Sequence, residues 1–207
     1  MEIYMKRFCY MMIAIFVIAM GVTLLKISDF GTDPFNCMNL GVSSLLPIRY
    51  GTYQLLFNIV LFIPLFVLKP SILGPGAIAN MFFSAYIVEL FSYIFGLFGI
   101  TESGIYGHTG MRMIFLLLGI VFMCFGAALY MECDMGIAAY DALGRIIYER
   151  SAQKVPYRII RIITDVICIV IGGVTGSVVG VGTMISAFFT GPFISMFQKF
   201  IQKEMKL

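Results

Sequence analysis

Charged and amide side chains set inside long apolar runs are where this sequence could do chemistry, because such groups are costly in hydrocarbon. Glu89 lies near the middle of an apolar run over 77–98, with no basic residue at helical spacing. It must be protonated, hydrogen-bonded or turned to a wet cavity, and the last case gives it a proton- or cation-coupling role. Asp165 lies inside the run 157–174 with Arg161 one turn before it, so a local ion pair could neutralise it. Asn58, Asn80 and Thr183 are further polar groups inside apolar runs and candidate partners. A second group surrounds a turn. Gly31 permits a sharp reversal, Asp33 can cap the helix that follows, and Pro34 suits its first position. Asn36, Asn39 and Ser43 then share one face, with Phe35, Met38, Val42 and Leu45 on another. Two readings stay open: a half-helix whose amino end and amides touch a substrate, or a capped interfacial helix bonded to its neighbours. Asp141, Arg145 and Glu149 follow at i, i+4 and i+8, as a solvated ladder or, with Arg161, as a gate of breakable ion pairs.

Other chemistries lack their parts. No nucleophile stands with a positioned base, so no enzyme is expected. His108 is the single histidine, and the 15 methionines form no array with the five scattered cysteines, so neither a metal site nor a cofactor is expected. The cysteines read as buried small hydrophobes. No basic stripe with interleaved aromatics appears, which argues against nucleic acid as a partner.

The elements that hold these groups follow from composition. Of the 207 residues 60% are hydrophobic and 12% charged, against about 45–50% and about 25% in soluble domains. A chain of this size cannot hide that much apolar surface from water, so the lipid bilayer is its solvent. Six runs are long enough to cross, over 9–27, 52–68, 77–98, 112–131, 157–174 and 183–200. Two shorter segments, 34–46 and 138–150, are read as re-entrant or interfacial helices. An eight-span alternative would need spans of about thirteen residues, shorter than hydrocarbon demands. The first run is long for a signal peptide and lacks a clear cleavage site, so it reads as a retained span. Lys6, Arg7, Lys69, Arg145, Arg150, Lys154, Lys199, Lys203 and Lys206 fall on one side and Lys26, Arg49 and Arg112 on the other. This asymmetry puts both termini in the cytoplasm.

The halves resemble each other. Gly21, Leu24, Asp29 and Gly31 match Gly126, Leu129, Asp134 and Gly136, and Phe35 and Asn36 match Tyr140 and Asp141. Tyr53 matches Tyr157, and Gly74, Gly76, Phe82, Phe83 and Phe91 match Gly180, Gly182, Phe188, Phe189 and Phe197. The expected fold is therefore all-α and integral to the membrane. It forms one domain over 1–207, with six transmembrane helices as two inverted three-helix repeats over about 8–99 and about 111–202. Each repeat carries a short re-entrant or interfacial helix after its first span.

The stretch Phe30-Gly31-Thr32-Asp33-Pro34-Phe35, followed by Asn36-Cys37-Met38-Asn39-Leu40-Gly41 and Tyr50-Gly51-Thr52, resembles the YczE-like family of bacterial membrane proteins, near the YitT-type proteins. Gly180-Val181-Gly182-Thr183 and Gly191-Pro192 fit its second half. The resemblance covers nearly the whole chain. It implies a multi-pass protein of the bacterial inner membrane and no assigned activity. Gly74-Pro75-Gly76-Ala77 lacks a counterpart of Thr183, so any role of that threonine is not symmetric.

The expected function is transport of a small polar or ionic solute, with or without proton coupling, through a midplane site at the repeat interface. Glu89 and Asp165 would supply charge, and Asn36, Asn39 and Asn58 uncharged contacts. The rival is a non-transporting accessory or regulatory membrane protein acting through the basic loop 150–161. Transport requires a polar cavity that reaches the midplane and is lined by the amides and carboxylates; the rival requires a packed bundle with Glu89 locally satisfied. The chain is small for a transporter, which makes a homodimer plausible.

Overall fold

The structure, a computed structural model, describes residues 2–101, 104, 105, 107–151 and 154–205. Lys206 and parts of the 101–110 and 150–161 loops lie outside the described residues. The described residues form eight α-helices: α1 (Glu2–Ser28), α2 (Pro34–Ser44), α3 (Tyr50–Leu68), α4 (Pro75–Leu97), α5 (Thr109–Glu132), α6 (Ala139–Arg150), α7 (Tyr157–Val174) and α8 (Val181–Met205). A single 3-10 turn, Pro70–Ile72, precedes α4. Among the described residues α1, α3, α4 and α5 are long and apolar enough to cross a membrane. Of the other two expected spans, α7 carries Arg158, Arg161 and Asp165 within 18 residues, and α8 is interrupted by Thr183, Ser186, Thr190 and Ser195. At about 1.5 Å per residue, α2 and α6 reach only about 16–18 Å.

The centre is the contact of α1 with α5. Gly21 lies against Met123 and Gly119, Gly126 against Ile18 and Ala14, and Arg112 at the start of α5 reaches Ser28 at the end of α1. The two helices therefore run antiparallel. A Cβ at Gly21 would fall 2.5 Å from the Met123 nitrogen, and one at Gly126 2.8 Å from the Ile18 nitrogen. Glycine at these points lets backbones touch, which in lipid replaces the missing hydrophobic drive with close packing. Around this seam Met11, Ile15, Leu25, Leu116, Ile120 and Cys124 are buried.

The remaining contacts come in matched pairs. α4 packs on α1 as α8 packs on α5, and α2 packs on α7 as α6 packs on α3. Past α1, Asp29 (φ 55°) and Gly31 (φ 93°) turn the chain back; past α5, Asp134 (φ 50°) and Gly136 (φ 109°) do the same. Glycine suits the left-handed region at each second position, and aspartate is among the residues that tolerate it. The reversed strands are pinned alike: Gly182 N–H donates to the Phe30 carbonyl at 2.8 Å, and Gly76 N–H to the Met135 carbonyl at 2.7 Å. Each reversal carries the chain back into the bundle before its short helix begins, and so aims the amino ends of α2 and α6 at each other.

Candidate functional site

Phe35 and Tyr140, each the second residue of its short helix, stack with ring centroids 4.8 Å apart and planes 28° from parallel. The first turns of α2 and α6 thus meet, each with its unpaired N–H groups and partial positive charge. Three carboxylates and one guanidinium gather there. Asp33 caps α2: its Oδ1 accepts from Asn36 N–H at 3.2 Å, and its Oδ2 from Asn36 Nδ2 at 2.7 Å. Asn36 Oδ1 in turn accepts from the Tyr50 hydroxyl at 2.6 Å. On the other side, Tyr140 Oη donates to Asp165 Oδ1 at 2.6 Å. Arg161 Nη1 donates to Asp141, Arg161 Nε lies 3.6 Å from Asp165, and the guanidinium carbon sits 4.4 Å above the Tyr140 ring. Asp165 is 5% exposed. Asp33 lies within electrostatic reach of both Arg161 and Asp165.

The other sequence-predicted residues divide between this junction and its surroundings. Asn39 is buried on α2, its Nδ2 donating to the Phe35 carbonyl at 2.8 Å. Asn58 is buried on α3 and Asn80 half-buried on α4. Glu89 is satisfied locally: its Oε1 accepts from the Gly51 N–H at 2.7 Å, a carboxylate at the amino end of α3 where the helix dipole favours it. Because Gly51 follows Tyr50, Glu89 borders the Asn36–Asp33 network. Thr183 is fully buried beside Gly31, its Oγ1 3.5 Å from Gly180 N, and so supports the turn before α2. The expected ladder on α6 is divided. Arg145 pairs with Glu149 at 3.7 Å, but Asp141 takes Arg161 from α7, and Lys69 Nζ reaches both Glu149 oxygens at 2.6 Å. The Lys69 ammonium holds the Glu149 carboxyl below its usual range.

Three participants were missed in the sequence, Phe35 and Tyr140 as a stacked pair and Tyr50, together with the buried Gln54 on the same helix as Tyr50. Gln54 is buried one turn past Tyr50 and one turn before Asn58. That i, i+4, i+8 spacing of polar groups in an otherwise apolar helix was the signal for Tyr50 and Gln54.

Apolar helices of spanning length, with a partly buried cluster of charge between α6 and α7, define a polytopic helical membrane protein. The chain belongs to the family of unknown function DUF6198, which matches residues 5–199. It is 21% identical to the uncharacterized protein YyaS of Bacillus subtilis over 202 residues, covering 96% of this chain and 95% of that one. It is 26% identical to an uncharacterized protein of Haemophilus influenzae over 200 residues, 96% and 86% of the two chains. It is 23% identical to the uncharacterized membrane protein YczE of Bacillus subtilis over 189 residues, 89% and 82% of the two chains. No solved structure matches significantly.

Proposed function

We propose that this protein is a small-solute transporter of the bacterial cell membrane, with its solute site at the junction of α2 and α6. The observation that carries the reading is the meeting of two short-helix amino ends on one aromatic pair, with Asp33, Asp141, Arg161 and Asp165 around it. Broken helices whose ends converge near the midplane are a recurrent way to hold polar solutes in transporters. In this reading α3 and α4 correspond to α7 and α8. The antiparallel α1–α5 pair relates two inverted three-span repeats by an axis in the membrane plane. α7 then spans despite its charges, because Arg161 and Asp165 neutralise one another and face the junction rather than lipid. The basic residues near both ends place the termini in the cytoplasm. The site binds and passes solute with no catalytic step.

One observation favours the rival, an accessory protein acting through the 150–161 loop: Glu89 is satisfied by Gly51 N–H, as a packed bundle requires. A thermal-stability screen of purified protein separates the two readings. Amino acids, organic anions, organic cations, nucleobases and metal ions are added at two pH values, with Glu89→Gln and Asp165→Asn in parallel, and light scattering on the same sample tests the homodimer. A solute that binds the folded state raises its melting point by mass action. The transporter reading expects such a solute, with its effect lost in Asp165→Asn. A well-folded sample that responds to none of these classes overturns it.

A further inference from the structure

The junction combines three carboxylates with one guanidinium, and the two halves use their carboxylates differently. Around α6, Asp141 and Asp165 share Arg161, whose guanidinium lies on the Tyr140 ring. Around α2, the Asp33 carboxylate is bonded to Asn36 alone; Arg161 is within its electrostatic reach, but among the described residues no side-chain cation forms an ion pair with it. The helix ends do not call for an added anion, since Asp33 already caps α2 through the Asn36 N–H and Asp141 stands in the first turn of α6.

A separate observation points to a donor on the Asp33 side. Asn39 is 0% exposed, and among the described residues its Oδ1 has no hydrogen-bond partner. Its Nδ2 is fixed on the Phe35 carbonyl one turn back, which holds the side-chain amide, Oδ1 included, beside the first turn of α2. The bond to a carbonyl also fixes which atom is nitrogen. A buried acceptor of this kind costs stability until an N–H or a cation meets it. Gln54 Oε1, on the facing helix α3, is buried and equally without a described partner. Among the described residues no three His, Cys, Asp or Glu side chains converge as metal ligands. Unmet acceptors on α2 and α3, with the Asp33 carboxylate at the start of α2, suit an organic cation, which bonds through N–H groups.

We propose that the solute of this junction is a small organic cation of the ammonium or guanidinium kind, held by Asp33 and the Asn39 Oδ1 at the first turn of α2. Arg161 on Tyr140 shows how the same surroundings hold a guanidinium belonging to the chain itself. The proposal rests on the transporter reading and names its substrate class.

The test uses the full-length purified protein at constant ionic strength. Probes are methylguanidinium chloride, methylammonium chloride, sodium acetate, sodium benzoate, and sodium chloride against potassium chloride. Calorimetric binding and melting points are recorded for the wild type, Asp33→Asn, Asn39→Leu and Glu149→Gln. Asp33→Asn keeps a good helix cap while removing the charge, and Asn39→Leu gives a second reading if the first variant folds poorly. An organic cation is expected to raise the melting point of the wild type and of Glu149→Gln. Its binding should weaken by roughly tenfold or more in Asp33→Asn and Asn39→Leu. Stabilisation by acetate or benzoate alone, or by one alkali ion alone, overturns the substrate class while leaving a solute site in place. Cation binding unchanged in both junction variants overturns the assignment to Asp33 and Asn39. No response to any of these probes overturns this inference, while the transporter reading stands or falls on the wider screen.

Discussion

At the start of α2, Asp33 caps the helix, Asn36 closes on Asp33 and Tyr50 closes on Asn36. At the start of α6, Ala138 caps nothing, Asp141 takes a guanidinium from α7, and Tyr140 bonds Asp165. The backbone reversals that lead into the two helices are alike to the level of a left-handed aspartate and a left-handed glycine. What differs is how charge is held. The first junction is neutral-bonded and local in sequence; the second is an ion-paired knot joining α6 to α7. Like reversals and like helix packing can thus hold unlike chemistry at the starts of the two short helices.

Breaking the ion-paired side should cost most. Arg161→Met leaves Asp141 and the buried Asp165 without their cation, and removing one partner of a buried pair costs about 3–5 kcal/mol. Because the Arg161 side chain is about a third exposed, the lower end, about 3 kcal/mol, is expected in denaturant unfolding of the purified protein. Adding Asp165→Asn to that variant should recover part of the loss. The α2 side should be milder. Asp33→Ala is expected to cost about 1 kcal/mol as a lost helix cap, and Asp33→Asn close to nothing. If Asp33→Asn costs as much as Arg161→Met, the contrast between the two sides is wrong. The smallest effect lies at the far end of α6, where Lys69 depresses the Glu149 carboxyl in the folded protein. The contribution of this contact is full above the unfolded carboxyl value of about 4.3 and is lost as pH falls through the lower folded value. The melting-point gap between wild type and Glu149→Gln should therefore close on acidification from neutral pH.

Much of the frame was legible in the sequence. The short helices announce themselves through Gly31, Asp33 and Pro34, and through the match of Phe35-Asn36 with Tyr140-Asp141; α2 begins at Pro34 as expected and α6 one residue later than expected. The expected first span stops short of α1, because the helix continues through Lys6 and Arg7 where hydropathy no longer reports it. The junction was legible only in its parts. Asp141 was placed in a ladder with Arg145, four residues on, because helical spacing is the one proximity a sequence displays. Its partner is Arg161, 20 residues on, brought there by the packing of α6 on α7. Glu89 likewise found its donor in the backbone of another helix, and a backbone N–H leaves no mark in residue type.

The stacking of Phe35 on Tyr140 has a consequence for ancestry. If the halves are inverted repeats, as proposed, matched residues that touch each other sit close to the axis relating them. In a dimer of two separate single repeats, such a residue would stack on its own identical copy, and any charge next to it would face the same charge. Joining two copies in one chain removes that constraint, since each copy then mutates alone. Tyr140 with its hydroxyl opposite bare Phe35, and Asp141 opposite uncharged Asn36, are differences that a pair of identical chains could not hold.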